Sequence, residues 1–208
     1  MFGTQNLLLF VTSGILLNLT PGQDTLYIVG RSVAQGRRAG VLSVLGIVSG
    51  SVVHTLAAAF GLSAILATSA QAFLVVRIAG AAYLTYLGLR MIFERSRRSG
   101  QLAEFKPDGS WAIYRAGFFS NLLNPKVALF FLAFLPQFVA PSADSTIVAF
   151  LFLGSLFIWT GTLWCLILAW SASSMSRRLR ANPSAGSMLR RAAGAMFVVL
   201  GVRLAITK

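Results

Sequence analysis

Six apolar stretches, each about 18 residues or longer, lie at roughly 5–29, 40–67, 72–93, 115–139, 146–172 and 189–206, and they decide what solvent this chain can fold in. In hydrocarbon every backbone N–H and C=O must be satisfied inside the protein, so segments of this length cross as α-helices. The sequence therefore predicts an all-α integral membrane protein of six transmembrane helices, in a single transmembrane domain over 1–208. With 56% hydrophobic and 11% charged residues, too little polar chain remains for a soluble domain. The first stretch has no Lys or Arg before Arg31 and no small-x-small cleavage site behind it, so it reads as a helix of the mature protein rather than a secretory signal.

A net charge of +13 would point to nucleic acid in a soluble protein, but here its placement alternates. Arg31, Arg37 and Arg38 follow the first span; Arg90, Arg95, Arg97, Arg98, Lys106 and Arg115 surround the third connection; Arg177, Arg178, Arg180, Arg190 and Arg191 surround the fifth. These are fourteen of the eighteen basic residues. The positive-inside rule puts the odd-numbered connections in the cytoplasm and both termini outside. The basic loops read as topology signals and contacts for anionic lipid, with no role in nucleic-acid binding.

The chain also resembles itself. Arg77-Ile-Ala-Gly80-Ala-Ala-Tyr83 with Leu87-Gly88-Leu89-Arg90 in the third span is echoed by Arg191-Ala-Ala-Gly194-Ala-Met-Phe197 with Leu200-Gly201-Val202-Arg203 in the sixth. Spans one and four each carry asparagine shortly before a proline, Asn18-Leu-Thr-Pro21 and Asn121-Leu-Leu-Asn124-Pro125. Two three-helix repeats follow, over 1–93 and 115–208, joined by a basic cytoplasmic loop at 94–114. Three is odd, so the second repeat enters from the opposite side, the inverted topology of many secondary transporters. Chance similarity between apolar segments is the competing explanation.

Ionisable groups inside a membrane are functional-site candidates by default, and three lie well inside: Asp24, His54 and Lys126. Asp24 precedes Arg31 by about 10 Å of helix, and Lys126 follows Arg115 by about 16 Å, near the midplane. Each adjoins a proline that frees the carbonyl four residues earlier, Leu17 for Pro21 and Asn121 for Pro125. One reading has Asp24 and freed carbonyls hold an ammonium group while Lys126, with the amides of Asn121 and Asn124, holds a carboxylate. The other is an Asp24–Lys126 ion pair that only ties the halves together. His54 follows Gly46 and Gly50 at spacings of four on a narrow face continued by Ala57, Ala58 and Gly61, and is either a hydrogen-bonded core residue or a proton relay. Gly46-Ile-Val-Ser-Gly50 is a GxxxG pattern best read as packing within one subunit. Cys165, the only cysteine, reads as a small packing residue, and Trp111, Trp159, Trp164 and Trp170 as aromatics, some of them at interfacial depth, with no chemistry assigned to them.

No nucleotide-binding, zinc or nucleophile motif is present, and one His, one Cys and five acids leave little for an enzyme. No cofactor and no bound metal are expected.

Thr20-Pro21-Gly22-Gln23-Asp24, Gly36-Arg37-Arg38-Ala39-Gly40, Ala79-Gly80-Ala81-Ala82-Tyr83-Leu84, and Asn121-Leu-Leu-Asn124-Pro125-Lys126 running on to Leu135-Pro136-Gln137-Phe138 resemble the LysE/RhtB family of amino-acid exporters in order and over essentially the whole chain. The resemblance implies an inner-membrane exporter of amino acids or close derivatives, driven by protons, and carries Pro21, Asp24, Asn121, Asn124, Pro125 and Lys126 over position by position. The fifth span lacks the aspartate of several relatives, which turns proton coupling toward Asp24 or His54. Without a spare intramembrane acid for a cationic side chain, a neutral substrate such as threonine, homoserine or leucine is favoured. A metal-cation exporter and a non-transporting membrane protein are the alternatives, and small-residue faces are compatible with a homodimer.

Overall fold

A computed structural model of the chain describes residues 2–68, 70–93, 107–140 and 142–181, with positions 191, 194–195, 198–199, 201–202 and 205–206 of the C-terminal stretch. The basic segments 94–106 and 182–190, with Arg203 and Lys208, lie outside the described residues. The helices are α1 (Leu7–Leu19), α2 (Gln23–Leu56), α3 (Ser63–Thr68), α4 (Ala70–Phe93), α5 (Ser110–Leu122), α6 (Pro125–Leu129) and α7 (Thr146–Ala181). Gln23–Ile65 and Thr146–Ala172 are long and apolar enough to cross a membrane, and Ser110–Leu122 with Pro125–Phe138, bent by 45° at the break, make a third such element. The chain is an all-helical, multi-pass membrane protein.

The long α2 is two arms. At Gly36 the backbone takes φ 81° and ψ 179°, a conformation that favours glycine, and the chain folds back. A Cβ on Gly40 would lie 3.1 Å from the Ser32 Cβ, whereas eight residues of straight helix would separate them by about 12 Å. Arg37 and Arg38 are exposed at this turn. Arg31 is not: it is 5% exposed, paired with Asp108 and bonded to Gln35, so it ties α2 to the start of α5 rather than meeting lipid.

α1 with the first arm of α2, and α5 with α6, run antiparallel, each pair in two pieces. At one end Gln5 N donates to the Phe138 carbonyl and Ala140 N to that of Gly3. At the other, the Tyr27 hydroxyl donates to the Ile113 carbonyl at 2.8 Å. The prolines act as their chemistry requires: α1 stops at Leu19 before Pro21, and α5 stops at Leu122 with Pro125 opening α6. The two breaks therefore face each other midway along the pair.

Two apolar cores flank that level. Phe10, Phe130, Phe134, Phe138, Phe150 and Phe157 belong to one, with ring centroids as close as 4.7 Å. Ile28, Val29, Val44, Ile47, Leu168 and Ala172 belong to the other. Polar groups are concentrated between them.

The 37–56 arm of α2 meets α5 backbone to backbone. A Cβ on Gly46 would lie 2.8 Å from the Phe118 nitrogen, and one on Gly50 would lie 2.9 Å from the Asn121 Cβ, so the GxxxG pattern packs inside the chain. Beyond His54 the predicted face turns. Ala58 is buried, but Ala57 and Gly61 are exposed while Ala59 and Leu62 face the core. A π-helical segment, Ala57–Leu62, begins there, and its wider turn rotates the positions that follow, Gly61 among them.

The described parts of 72–93 and 189–206 touch reciprocally. A Cβ on Gly88 would lie 2.5 Å from the Gly194 carbonyl oxygen and 2.8 Å from Val198 N, and one on Gly201 would lie 2.8 Å from the Ala81 carbonyl oxygen and Thr85 N. These are the glycines that the internal resemblance pairs.

Candidate functional site

The facing breaks supply unusual backbone groups, and two charged side chains answer them. Gly22 precedes α2 in an extended conformation, which puts Asp24 in the first turn, where the helix dipole favours a negative charge. Across the break, Asp24 Oδ1 accepts from Ser120 Oγ at 3.0 Å, and Oδ2 accepts from Asn121 Nδ2 at 2.8 Å and Asn124 Nδ2 at 3.1 Å. Asn124 is oriented for this because its Oδ1 caps α6, accepting from Lys126 N at 3.0 Å. The Asn121 Oδ1 in turn accepts from Ser51 Oγ at 3.2 Å.

Lys126 does the converse. Its Nζ donates to the carbonyls of Leu17 at 2.8 Å and Thr20 at 3.0 Å, placing a cation on the C-terminal end of α1. Leu17 is the carbonyl that Pro21 leaves without its helical donor. Asn121, freed by Pro125, accepts from Asn124 N at 3.0 Å and lies 3.3 Å from His54 Nε2, whose ring stacks on Phe131. Both freed carbonyls are thus met by ionisable side chains of this chain.

Asp24 and Lys126 do not pair with each other; among the described residues the ion pair is Arg31–Asp108. The direct Asp24–Lys126 bridge is therefore not formed, because each group has partners on the opposite break. The amides of Asn121 and Asn124, expected beside Lys126, instead serve Asp24.

A cavity opens between the breaks and α7, lined by Asp24, Lys126, Asn18, Asn121 and Asn124 with apolar Leu17, Ile47, Val48, Val127, Phe157 and Ile158. It offers about 60 Å³ to the centres of water molecules, against roughly 10–15 Å³ for a single water. Pro21 and Pro125 shape the breaks from outside it, and His54 touches it only through Asn121.

Two wall residues escaped the sequence reading. Trp111, Trp159 and Trp170 are exposed, as interfacial aromatics are, but Trp164 lines the cavity and its Nε1 has no partner among the described residues. Cys165 lines it as well. The available signal was position: Gly161, Trp164 and Cys165 share the α7 face that continues from buried Phe157. Among the described residues no three His, Cys, Asp or Glu side chains gather as metal ligands would.

Residues 15–208 match the family model of LysE type translocators. The chain belongs to that family. It is a translocator and not an enzyme. It is 28% identical to a leucine efflux protein of Enterobacter sp. (strain 638), covering 98% of this chain and 97% of the relative. A leucine efflux protein of Klebsiella pneumoniae is 28% identical over 98% of this chain and 96% of its own length. One of Salmonella choleraesuis is 30% identical over 74% of this chain and 73% of its own length. No solved structure matches the translocator.

Proposed function

We propose that this translocator exports neutral aliphatic amino acids of the leucine kind from the cytoplasm, binding them as zwitterions between Asp24 and Lys126. The carrying observation is a count of hydrogen-bond capacity. A lysine ammonium has three donors, and Lys126 gives two to Leu17 and Thr20. A carboxylate has about four acceptor sites, and three of those on Asp24 are taken. Each charge keeps one place for a ligand, the anion for an ammonium group and the cation for a carboxylate. The two charges cancel, so a substrate of zero net charge fits, and the apolar wall suits an aliphatic side chain. The leucine efflux relatives support the same substrate class.

Alternating access would come from two inverted three-helix halves in the inner membrane, with both termini outside. The antiparallel first and fourth spans and the reciprocal contacts of Gly88 and Gly201 support this arrangement. A proton gradient drives export, with anionic lipid holding the basic loops. The support is that two titratable groups, His54 and Asp24, both contact Asn121, His54 at its backbone carbonyl and Asp24 at its side-chain amide, and that the sequence has no nucleotide motif. The glycine face at Gly46 and Gly50 is consumed within the chain, so a homodimer would have to use another surface.

The deciding measurement is efflux from cells preloaded with single amino acids. Leucine, isoleucine and valine are expected to leave faster than in cells without the protein, and lysine and arginine at the background rate. Equal efflux of leucine and lysine would overturn the neutral-substrate reading. Lys126→Met should cut leucine export at least tenfold, since a hydrogen bond to a charged group is worth about 1.5–3 kcal/mol. For His54→Asn, the expected change is a flattened dependence of export on external pH, and an unaltered pH profile would remove His54 from the proton path. Binding has an independent reporter in the single cysteine: leucine is expected to slow alkylation of Cys165, and lysine to leave it unchanged.

A further inference from the structure

Lys126 is not alone in offering donors to this cavity. Asn18 and Trp164 also line it, and Asn18 Nδ2 and Trp164 Nε1 are buried with no hydrogen-bond partner among the described residues. They come from different helices, α1 and α7, and the backbone brings them to one place. A Cβ on Gly161 would lie 3.3 Å from Asn18 Nδ2, so the Asn18 amide rests on bare α7 backbone, and Trp164 follows three residues later on the same helix face. The carbonyls that hold Lys126 Nζ, Leu17 and Thr20, flank Asn18 in the chain. A buried donor without an acceptor is costly, and native proteins seldom leave two beside one cavity.

We propose, resting on the exporter reading above, that Asn18 Nδ2 and Trp164 Nε1 together with Lys126 form the seat of the substrate's carboxylate, and that the translocator thereby requires a free α-carboxylate. Two oxygens with about four acceptor sites can take the N–H donors of three residues that line one cavity. Asn and Trp supply their share without adding charge, so the cavity stays neutral overall. The indole nitrogen cannot accept. A carboxamide offers one acceptor oxygen where a carboxylate offers two, and its NH2 group cannot accept, so at least one of these donors loses its partner and amides are selected against.

The test uses purified protein in proteoliposomes and two probes, leucine and leucinamide, for wild type, Trp164→Phe and Asn18→Leu. Leucine is expected to bind wild type at least tenfold more tightly than leucinamide. Each variant should raise the leucine dissociation constant about 5- to 50-fold and leave that of leucinamide unchanged or lower it, since the donor that the amide leaves unpaired is gone. Gly161→Ala deletes no donor but crowds the Asn18 amide, and the same selective loss is expected; it keeps the test intact if Asn18→Leu does not fold. Unchanged leucine binding in the folded variants overturns the proposal, as does equal weakening of leucine and leucinamide. Wild-type protein that binds no neutral amino acid overturns the exporter reading, and this one with it.

Discussion

Asp24→Asn is expected to abolish leucine export while leaving the protein folded. The substitution changes almost no volume, and two apolar cores, neither of which includes Asp24, hold the helices on either side. What changes is polarity. Ser120, Asn121 and Asn124 all direct donors at the Asp24 side chain; an amide keeps an acceptor for Asn121 and Asn124 only with its nitrogen toward Ser120, whose hydroxyl must then turn to accept. The negative charge that would hold the ligand's ammonium group also disappears. At about 1.5–3 kcal/mol for a hydrogen bond to a charged group, the loss corresponds to roughly ten- to a hundredfold weaker binding before any effect on proton coupling. Efflux from preloaded cells, normalised to protein that elutes as one peak in detergent, measures it. Export within twofold of wild type would remove Asp24 from the site.

The second large effect is structural. Gly46→Ala is expected to lower the thermal midpoint in detergent, and Gly46→Leu to prevent accumulation of folded protein. A Cβ at this position would sit 2.8 Å from the Phe118 nitrogen and 3.1 Å from the Tyr114 carbonyl carbon, both backbone atoms that no side-chain rotation can move. The whole of α5 would have to retreat from α2. Overpacking of this kind costs about 1–3 kcal/mol in well-packed interiors. The retreat would also carry Asn121 away from Ser51 and Asp24, so export should fall more than stability does. By contrast Gly61→Ala, with nothing within 4 Å of the added atom, should match wild type in both readouts. A Gly46→Ala protein as stable and active as wild type would refute the close seam.

Asp24 and Lys126 could be singled out from the sequence because a charge within an apolar run is conspicuous whatever it touches, and Pro21 and Pro125 announced the broken helices beside them. Their partners were another matter. Asn121 and Asn124 precede Pro125 and Lys126 in the chain, which suggested that they serve the lysine, yet they bond Asp24, about a hundred residues away. Trp164 looked like any interfacial tryptophan, since an indole on a membrane helix reads the same facing lipid or a cavity. The buried face past His54 was misread because a π-helical turn depends on how neighbouring helices pack and leaves no local spacing to recognise.

Length, hydropathy and proline act through the chain's own backbone and solvent, so the membrane class, the helix breaks at Pro21 and Pro125 and the intramembrane charges are local facts that one chain of letters carries. The fold-back at Gly36 is also local, because the backbone conformation there favours glycine. Hydrogen bonds across the two breaks are not local. Which carbonyl meets Lys126, which amides meet Asp24, and which donors are left for a ligand depend on the antiparallel docking of two broken helices against α7. That docking arises from packing between residues far apart in the sequence, and only in three dimensions does it bring two separate charges to the wall of one cavity.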